Sequence, residues 1–446
     1  MKLLLVVLVA LLGCAAIPTA FGAYCNGKPN PDAQPNTLPI TTSAPVLVRS
    51  ITNAKLFIAG QGDDQFNILH VWGSPYEMGY AHGSILKEEA SEFVLAVWAY
   101  LVGQADSAIN GTAHNLRPWM VDLIANFGLD AALDLTFDAT NPYTGSYFLD
   151  EMHGLADATG LDYKMIRRVH MIGELTKGGC SMYGAWGKAT ASTGKLFQMR
   201  ALDWDVDGPF KDYPQITVYH PSNSDNGHAF ANIGWTGWLG SITGFSSVQT
   251  AISEIGATYS DASFGSDSRF GVPFTFLLRD ILQFDQTIDD ALNRITNAHR
   301  TCSLILGVGD GKLNEFRSVQ YSYSVANIFD DQNMQPYNET WHPRIENIVY
   351  YGMDWLCPNY DIVLARQLTK HYGNITAEVT INDILPIVQT GDLHIAVYDL
   401  TEQLVHVAVA KRSTGTGAPL AYNRAFTRLS MTALFQEPAP TAAEHL

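Results

Sequence analysis

Gly178-Gly179-Cys180-Ser181-Met182-Tyr183-Gly184-Ala185-Trp186-Gly187 is followed by a turn at Ser192-Thr193-Gly194 and then by Leu196-Phe197-Gln198-Met199-Arg200-Ala201-Leu202-Asp203-Trp204. Two apolar runs on either side of a Ser-Thr-Gly turn read as a β-hairpin. In a hairpin the start of the first strand lies beside the end of the second. Cys180 is therefore expected next to Arg200 and Asp203. A thiol next to a guanidinium and a carboxylate is a nucleophile with its activators.

The character of the sequence changes at this hairpin. Before it, residues 25–45 are rich in Pro, Asn and Thr and read as an extended arm, followed by strand-like runs at 55–58 and 68–72. Ser74-Pro75-Tyr76-Glu77 opens a helix, with Pro at the first position and Glu in the capping turn. Its apolar face continues through Ile85, Phe93, Val94, Val97 and Leu101. Further helical periodicity covers about 117–137 and 147–175. After the hairpin, apolar or alternating runs at 215–219, 229–234, 248–252, 302–307, 393–398 and 404–409 read as strands. Helical stretches at about 273–298, 359–371 and 381–388 interrupt them, the last with Asn382 near an N-cap and Pro386 inside. This order predicts an α+β fold of layered antiparallel sheets. The last dozen residues, with Pro438 and Pro440, read as a frayed tail.

A length of 446 residues and a 47% hydrophobic share allow a sizeable core. The net charge of −17 argues against a nucleic-acid partner, because phosphates need cationic neutralisation. That acidity suits a protein of an acidic or extracellular compartment. Met1-Lys2, a Leu/Val run to Leu12 and small residues to Gly22 read as a secretory signal peptide over 1–22, although Leu11-Leu12-Gly13-Cys14 also resembles a bacterial lipoprotein box. No later segment is apolar enough for a membrane helix. Asn110, Asn338 and Asn374 sit in glycosylation sequons. Beyond the leader, Cys25, Cys180, Cys302 and Cys357 remain, enough for two disulfides, or for one disulfide and a buried thiol if Cys180 is a free nucleophile. Cys25 and Cys357 fall in loop-like sequence, and Cys302 starts an apolar run and reads as a core thiol. The histidines show no metal spacing, and there is no phosphate loop or Gly-x-Ser-x-Gly elbow, so no metal or cofactor is expected.

With Cys180 followed by Arg200-Ala201-Leu202-Asp203, the chain resembles the N-terminal-nucleophile (Ntn) cysteine hydrolases of the acid ceramidase and penicillin acyltransferase group. The resemblance extends to Gly73–Gly83, to Glu151–Ala156, to Gly234-Trp235-Thr236-Gly237 with Ile242–Phe245, and to Asp392–Asp399 with Tyr422-Asn423-Arg424. Two departures stand out. Ala201 occupies the place of an Asn, and Phe245-Ser246-Ser247 that of Met-Asn-Glu.

The resemblance implies an Ntn-hydrolase αββα sandwich with a mainly helical N-terminal part. It implies autocleavage between Gly179 and Cys180 into an α part, 23–179, and a β part, 180–446, that stay associated. Cutting frees an α-amine on Cys180 that serves as base, so no catalytic His is required. Asp203 orients that amine, Arg200 supports Asp203 and the thiolate, and Asn327, in Ala326-Asn327-Ile328-Phe329, supplies an oxyanion donor. A Cys25–Cys357 disulfide ties the parts together. The expected activity is hydrolysis of a linear amide, of a small N-acyl amine or an N-acyl lipid, by a secreted or lysosomal enzyme. Acyl transfer on the same scaffold and a non-catalytic secreted binding protein are the alternatives, and Ala201 with Phe245-Ser246-Ser247 leaves room for the latter. Trp204, Trp235, Trp238 and Phe245 are candidates to line an acyl groove.

Overall fold

The computed structural model describes residues 27–110, 116, 118–175, 178–191, 194–223, 227–265, 267–352 and 360–441. The proposed leader, Cys25 and Cys357, with the disulfide they were expected to form, lie outside these residues. Cys180 and Cys302 are both buried.

The strands run in chain order β1 (Val46–Ile51), β2 (Ala54–Ala59), β3 (Phe66–Gly73), β4 (Gly179–Ala185), β5 (Phe197–Asp203), β6 (Pro214–Pro221), β7 (Phe230–Trp235) and β8 (Gly244–Ser246). They continue as β9 (Thr250–Gly256), β10 (Leu304–Asp310), β11 (Glu315–Tyr321), β12 (Ala326–Phe329), β13 (Ile348–Tyr351), β14 (His394–Asp399), β15 (Leu404–Val409) and β16 (Thr427–Ser430). Ten form one sheet, ordered β1-β2-β3-β6-β7-β8-β9-β10-β11-β12. Six form the other, β13-β4-β5-β14-β15-β16. The sheets face each other through β4 and β5 against β9 and β10. Gln198 on β5 hydrogen-bonds Ser253 on β9 across this interface, at 2.8 Å. The helices Phe274–Phe284 and Ile288–Asn297 pack on β7–β10, and the short helical turns over 377–388 pack on the six-stranded sheet, giving helix, sheet, sheet, helix. The fold is thus the expected α+β sandwich, with one correction. β3 and β6 pair in parallel, Asn67 opposite Gln215 through Gly73 opposite Pro221. The chain reaches β6 from β3 by way of the helices and the hairpin, and a long crossover permits parallel pairing.

Before the hairpin the helices follow the periodicity, and local breaks divide them. The Pro75–Ile85 helix begins on the predicted capping box. Ser74 Oγ accepts from the Glu77 N–H, and Glu77 Oε2 accepts from the Ser74 N–H at 2.8 Å. A cap of this kind contributes about 1 kcal/mol. Leu86 leaves helical geometry, and a second helix runs from Lys87 to Ile109 with Phe93, Val94, Val97 and Leu101 buried. Gly128 and Gly160 adopt positive φ and divide the next two predicted helices. Further along, the helix predicted at 381–388 starts instead at Thr376, whose side chain caps Val379, so Asn382 lies inside the helical segment. The C-terminal residues are not wholly frayed. Met431–Phe435 is helical, and Glu437 pairs with the buried Lys55 at 2.9 Å.

The hairpin therefore joins two parts of one folded unit. β1, β2 and β3 precede Gly179, yet they complete the ten-stranded sheet beside β6. No helix among the described residues is long and apolar enough to cross a membrane. Asn110 and Asn374 are exposed, whereas Asn338 is partly buried and its Oδ1 accepts the N–H groups of Thr340 and Trp341.

Candidate active site

β4 and β5 pair antiparallel, with Gly179 opposite Asp203, Cys180 opposite Leu202 and Met182 opposite Arg200. Side chains alternate between the two faces of a strand. Cys180 and Arg200 point toward the ten-stranded sheet, while Ser181 and Asp203 point the other way. The hairpin brings all three predicted residues together, but on two faces.

Arg200 is fully buried and organises the inner face. Its Nη2 donates to Cys180 Sγ at 3.3 Å and to Glu254 Oε2 on β9 at 3.2 Å. Its Nη1 lies 3.2 Å from His394 Nε2 on β14. A guanidinium only donates, so His394 Nε2 accepts and the ring carries its hydrogen on Nδ1. Burial first, and then the guanidinium, hold His394 well below the usual imidazole range, so the ring is neutral. Burial pushes the Cys180 thiol up. Arg200 opposes that rise, Glu254 and Asp203 add to it, and the Asp203 main-chain N–H, bonded to the sulfur, opposes it again. In the uncut chain the sulfur is thus a protonated thiol with a cation already in place for the thiolate.

On the outer face, Asp203 Oδ1 accepts the N–H groups of Gly391 at 2.7 Å and Asp392 at 3.1 Å. Thr390 Oγ1 is 2.7 Å from both Asp203 Oδ2 and Ser181 Oγ. Burial raises Asp203 above the usual carboxylate range, and these donors pull it back. Asp392 is also buried, and its Oδ1 has no hydrogen-bond partner. Burial and the neighbouring Asp203 charge push its carboxyl up. Two close buried carboxylates do not both ionise readily. Asp203, with its three donors, is the member that carries the charge, and Asp392 keeps its proton.

Cys180 lines a partly open cleft together with Leu202, Trp204, Phe210, Trp235, Trp238, Ile242, Phe274, Leu304 and Glu254. Trp235 and Trp238 serve both expected purposes, being buried in the core and facing the cleft. Phe245 is fully buried against Tyr398 and Phe435 and is not among the lining residues. Ile172, Gly173 and Gly178, all ahead of the hairpin, close one side of the cleft. There the main chain of Gly178 passes so near Gly256 that a Cβ on Gly256 would lie 2.8 Å from the Gly178 carbonyl oxygen.

Asn327 is not brought to this site. It lies exposed on the edge strand β12, opposite Gln320, to which its Nδ2 donates at 3.3 Å. That row meets β9 at Ile255, three strand spacings or roughly 14 Å from Asn327. Among the described residues of the cleft wall, the buried indole N–H of Trp238 is a donor without a hydrogen-bond partner. Sequence reading also missed Glu254 and Thr390. An acid inside the apolar run Thr250-Ala251-Ile252-Ser253-Glu254-Ile255 was a visible signal, because a buried carboxylate requires a partner. Nothing local in Thr390-Gly391-Asp392 marks those residues as the seat of Asp203. Among the described residues, no group of three or more His, Cys, Asp or Glu side chains could hold a metal ion.

Fold and site together define a two-sheet α+β protein with a buried cysteine, contacted by an arginine, in the wall of an apolar cleft. No family model matches the chain. It is 37% identical to Protein dcd1A of Dictyostelium discoideum over 428 residues, which cover 93% of this chain and 94% of that protein. It is 38% identical to Protein dcd1B of the same organism over 416 residues, 90% of this chain and 81% of that protein. The chain belongs to the family of these dcd1 proteins. Among solved structures, a Caenorhabditis elegans N-acylethanolamine-hydrolyzing acid amidase ortholog overlaps 50% of this chain and 93% of its own, at 16% identity and a TM-score of 0.38.

Proposed function

We propose that the chain is a cysteine amidase that activates itself by cutting its Gly179–Cys180 bond, and that it then hydrolyses linear amides with an apolar acyl part. The observation that carries this reading is the Cys180–Arg200–Glu254 contact directly after Gly179, with Asp203 opposite that glycine in the hairpin register.

In the first step the Cys180 thiol adds to the Gly179 carbonyl carbon. The peptide C–N bond breaks, and the Cys180 nitrogen keeps the electron pair and takes the thiol proton. Water then hydrolyses the Gly179 thioester, which frees the Gly179 carboxylate and restores the thiol. Cys180 now carries an α-amine, a group that titrates near 8 in model peptides. That amine accepts the thiol proton as the sulfur attacks a substrate carbonyl, and it returns the proton to the leaving amine. Arg200 supplies positive charge to the thiolate. Asp203, one residue from the new terminus in the register, is the counter-charge that orients the amine. The Trp238 N–H, on the cleft wall like that of Trp204, is a candidate donor to a substrate carbonyl. The aromatic and aliphatic lining favours an acyl chain or ring, which fits a small N-acyl amine or an N-acyl lipid.

The leader sequence, the net negative charge and the exposed Asn110 and Asn374 support placement of the enzyme in a secretory or lysosomal compartment. The test is the Cys180→Ala variant, expressed beside the wild type and incubated with N-acyl substrates of graded acyl length at pH 4–8. The variant is expected to remain uncut and to release no amine. Amine release by the variant at the wild-type rate would exclude Cys180 as the nucleophile.

A further inference from the structure

The cleft wall depends on a loop that gives two of its backbone N–H groups to residues on the other side of the proposed cut. Trp235 ends β7, and Trp238 lies in the connection from β7 to β8, over 236–243. Such a loop, buried in the fold, must find partners for its backbone groups. The Gly237 N–H donates to His82 Nε2 at 2.8 Å, and the Leu239 N–H donates to His170 Nε2 at 3.0 Å. The Leu239 carbonyl accepts from Arg279 Nη1 at 3.0 Å, and Arg279 in turn pairs with the buried Glu151. His82, Glu151 and His170 all precede Gly179.

Both imidazoles are built to accept. His170 donates Nδ1–H to the Ile166 carbonyl at 2.7 Å, which leaves Nε2 as the acceptor, and its ring stacks on the Trp238 indole with centroids 5.2 Å apart. His82 is 1% exposed, and its Nε2 also lies 3.2 Å from Gln215 Nε2. Burial is the largest cause that lowers both rings, His82 to about 3 and His170 to about 4. Each is therefore an uncharged acceptor in any compartment less acid than that.

We infer that His82 and His170 are positioning residues of the β7–β8 loop: through the Gly237 and Leu239 N–H groups they set the place of Trp238 in the cleft wall, so that the segment before Gly179 remains part of the working site after the cut. The role rests on the proposed amidase reading for its consequence in catalysis, but the hydrogen bonds can be tested without it. In a purely structural role, any side chain that fills the space would serve. In a positioning role the acceptor atom is required, and glutamine can supply one where alanine cannot.

The experiment compares wild type with His82→Ala, His82→Gln, His170→Ala and His170→Gln by two readouts. The first is amide hydrogen exchange of the peptide covering 235–241. The second is kcat and KM on N-dodecanoyl 4-nitroanilide. The alanine variants are expected to speed exchange of that peptide at least tenfold and to raise KM several-fold with a smaller effect on kcat, and the glutamine variants to recover both. Wild-type exchange and KM in the folded alanine variants would overturn the inference, as would glutamine variants no better than alanine. If an alanine variant does not fold, exchange in its glutamine counterpart decides: wild-type protection of 235–241 supports the inference, and lost protection overturns it. A wild type that never turns over the anilide speaks against the amidase reading alone, because the exchange arm is still read.

Discussion

Cys180 is held where a thiol is least reactive, buried and in its neutral form, yet Arg200 already stands at the sulfur. The contrast fits a residue whose chemistry waits for a change in its own backbone, since a new amine and a wetter cleft would both favour the thiolate. Gly256 bears on that change because its missing Cβ makes room for the Gly178 carbonyl beside the bond to be cut. Gly256→Ala would force the backbone to shift. Overpacking of this kind costs about 1–3 kcal/mol, and cutting at Gly179–Cys180 is expected to slow by roughly 5- to 150-fold, read as the disappearance of full-length chain on a denaturing gel. Asp392 offers a second test at this scale. Its folded carboxyl is raised, so above pH ~4 the unfolded chain releases a proton that the folded chain retains. Stability from this residue is present at low pH and is lost as pH rises. Asp392→Asn removes the dependence, and the melting temperature of the variant relative to wild type is expected to climb between pH 4 and pH 8, by about 1.4 kcal/mol in stability for each pH unit over which the proton is held. A flat difference would place the carboxyl in an ordinary environment. Cys180, Arg200 and Asp203 were legible because hairpin register converts sequence spacing into adjacency. Glu254 and His394 come from strands brought in by tertiary pairing, and Asn327 was misplaced because a short motif says nothing about which sheet edge its strand will occupy.

β3 is the element on which the two-part architecture turns. Ile68, Leu69 and Val71 are all fully buried, which is the pattern of a strand covered on both faces. Its parallel partner β6 lies beyond the proposed cut, and seven residue pairs join them. Cutting at Gly179 therefore leaves the sheet intact. After cutting, the two parts are expected to co-elute on size exclusion in native buffer containing reductant, whatever becomes of Cys25 and Cys357. Separation under those conditions would mean that the sheet alone does not hold them. Strands with continuous apolar or alternating character were readable from the sequence. The short edge strands β1, β12 and β16 carry little burial to mark them, and their pattern did not stand out. Helices were readable as periodic stretches, but the one-residue breaks at Leu86 and Gly128 and the three-residue breaks beginning at Gly160 and Asp285 were not, since apolar residues continue on both sides of each.

Across the whole molecule, the segments before and after the hairpin are interleaved. Three strands of the earlier segment complete a sheet, its helices carry Glu151 onto Arg279, and its histidines reach the cleft loop. A buried ion pair such as Glu151–Arg279 costs about 3–5 kcal/mol when one partner is removed, so this interleaving is enforced as well as permitted. The layered α+β class was legible from the order of apolar runs, whereas the exchange of strands across the cut was not, because strand order within a sheet is a property of the packed chain. Self-activation requires that the bond ahead of Cys180 be broken in the working protein. Intact mass and N-terminal sequencing of purified, active material read this directly. Two species are expected, one ending at Gly179 and one beginning at Cys180, with only full-length chain in Cys180→Ala. An unbroken chain that hydrolyses amides would refute the proposed activation.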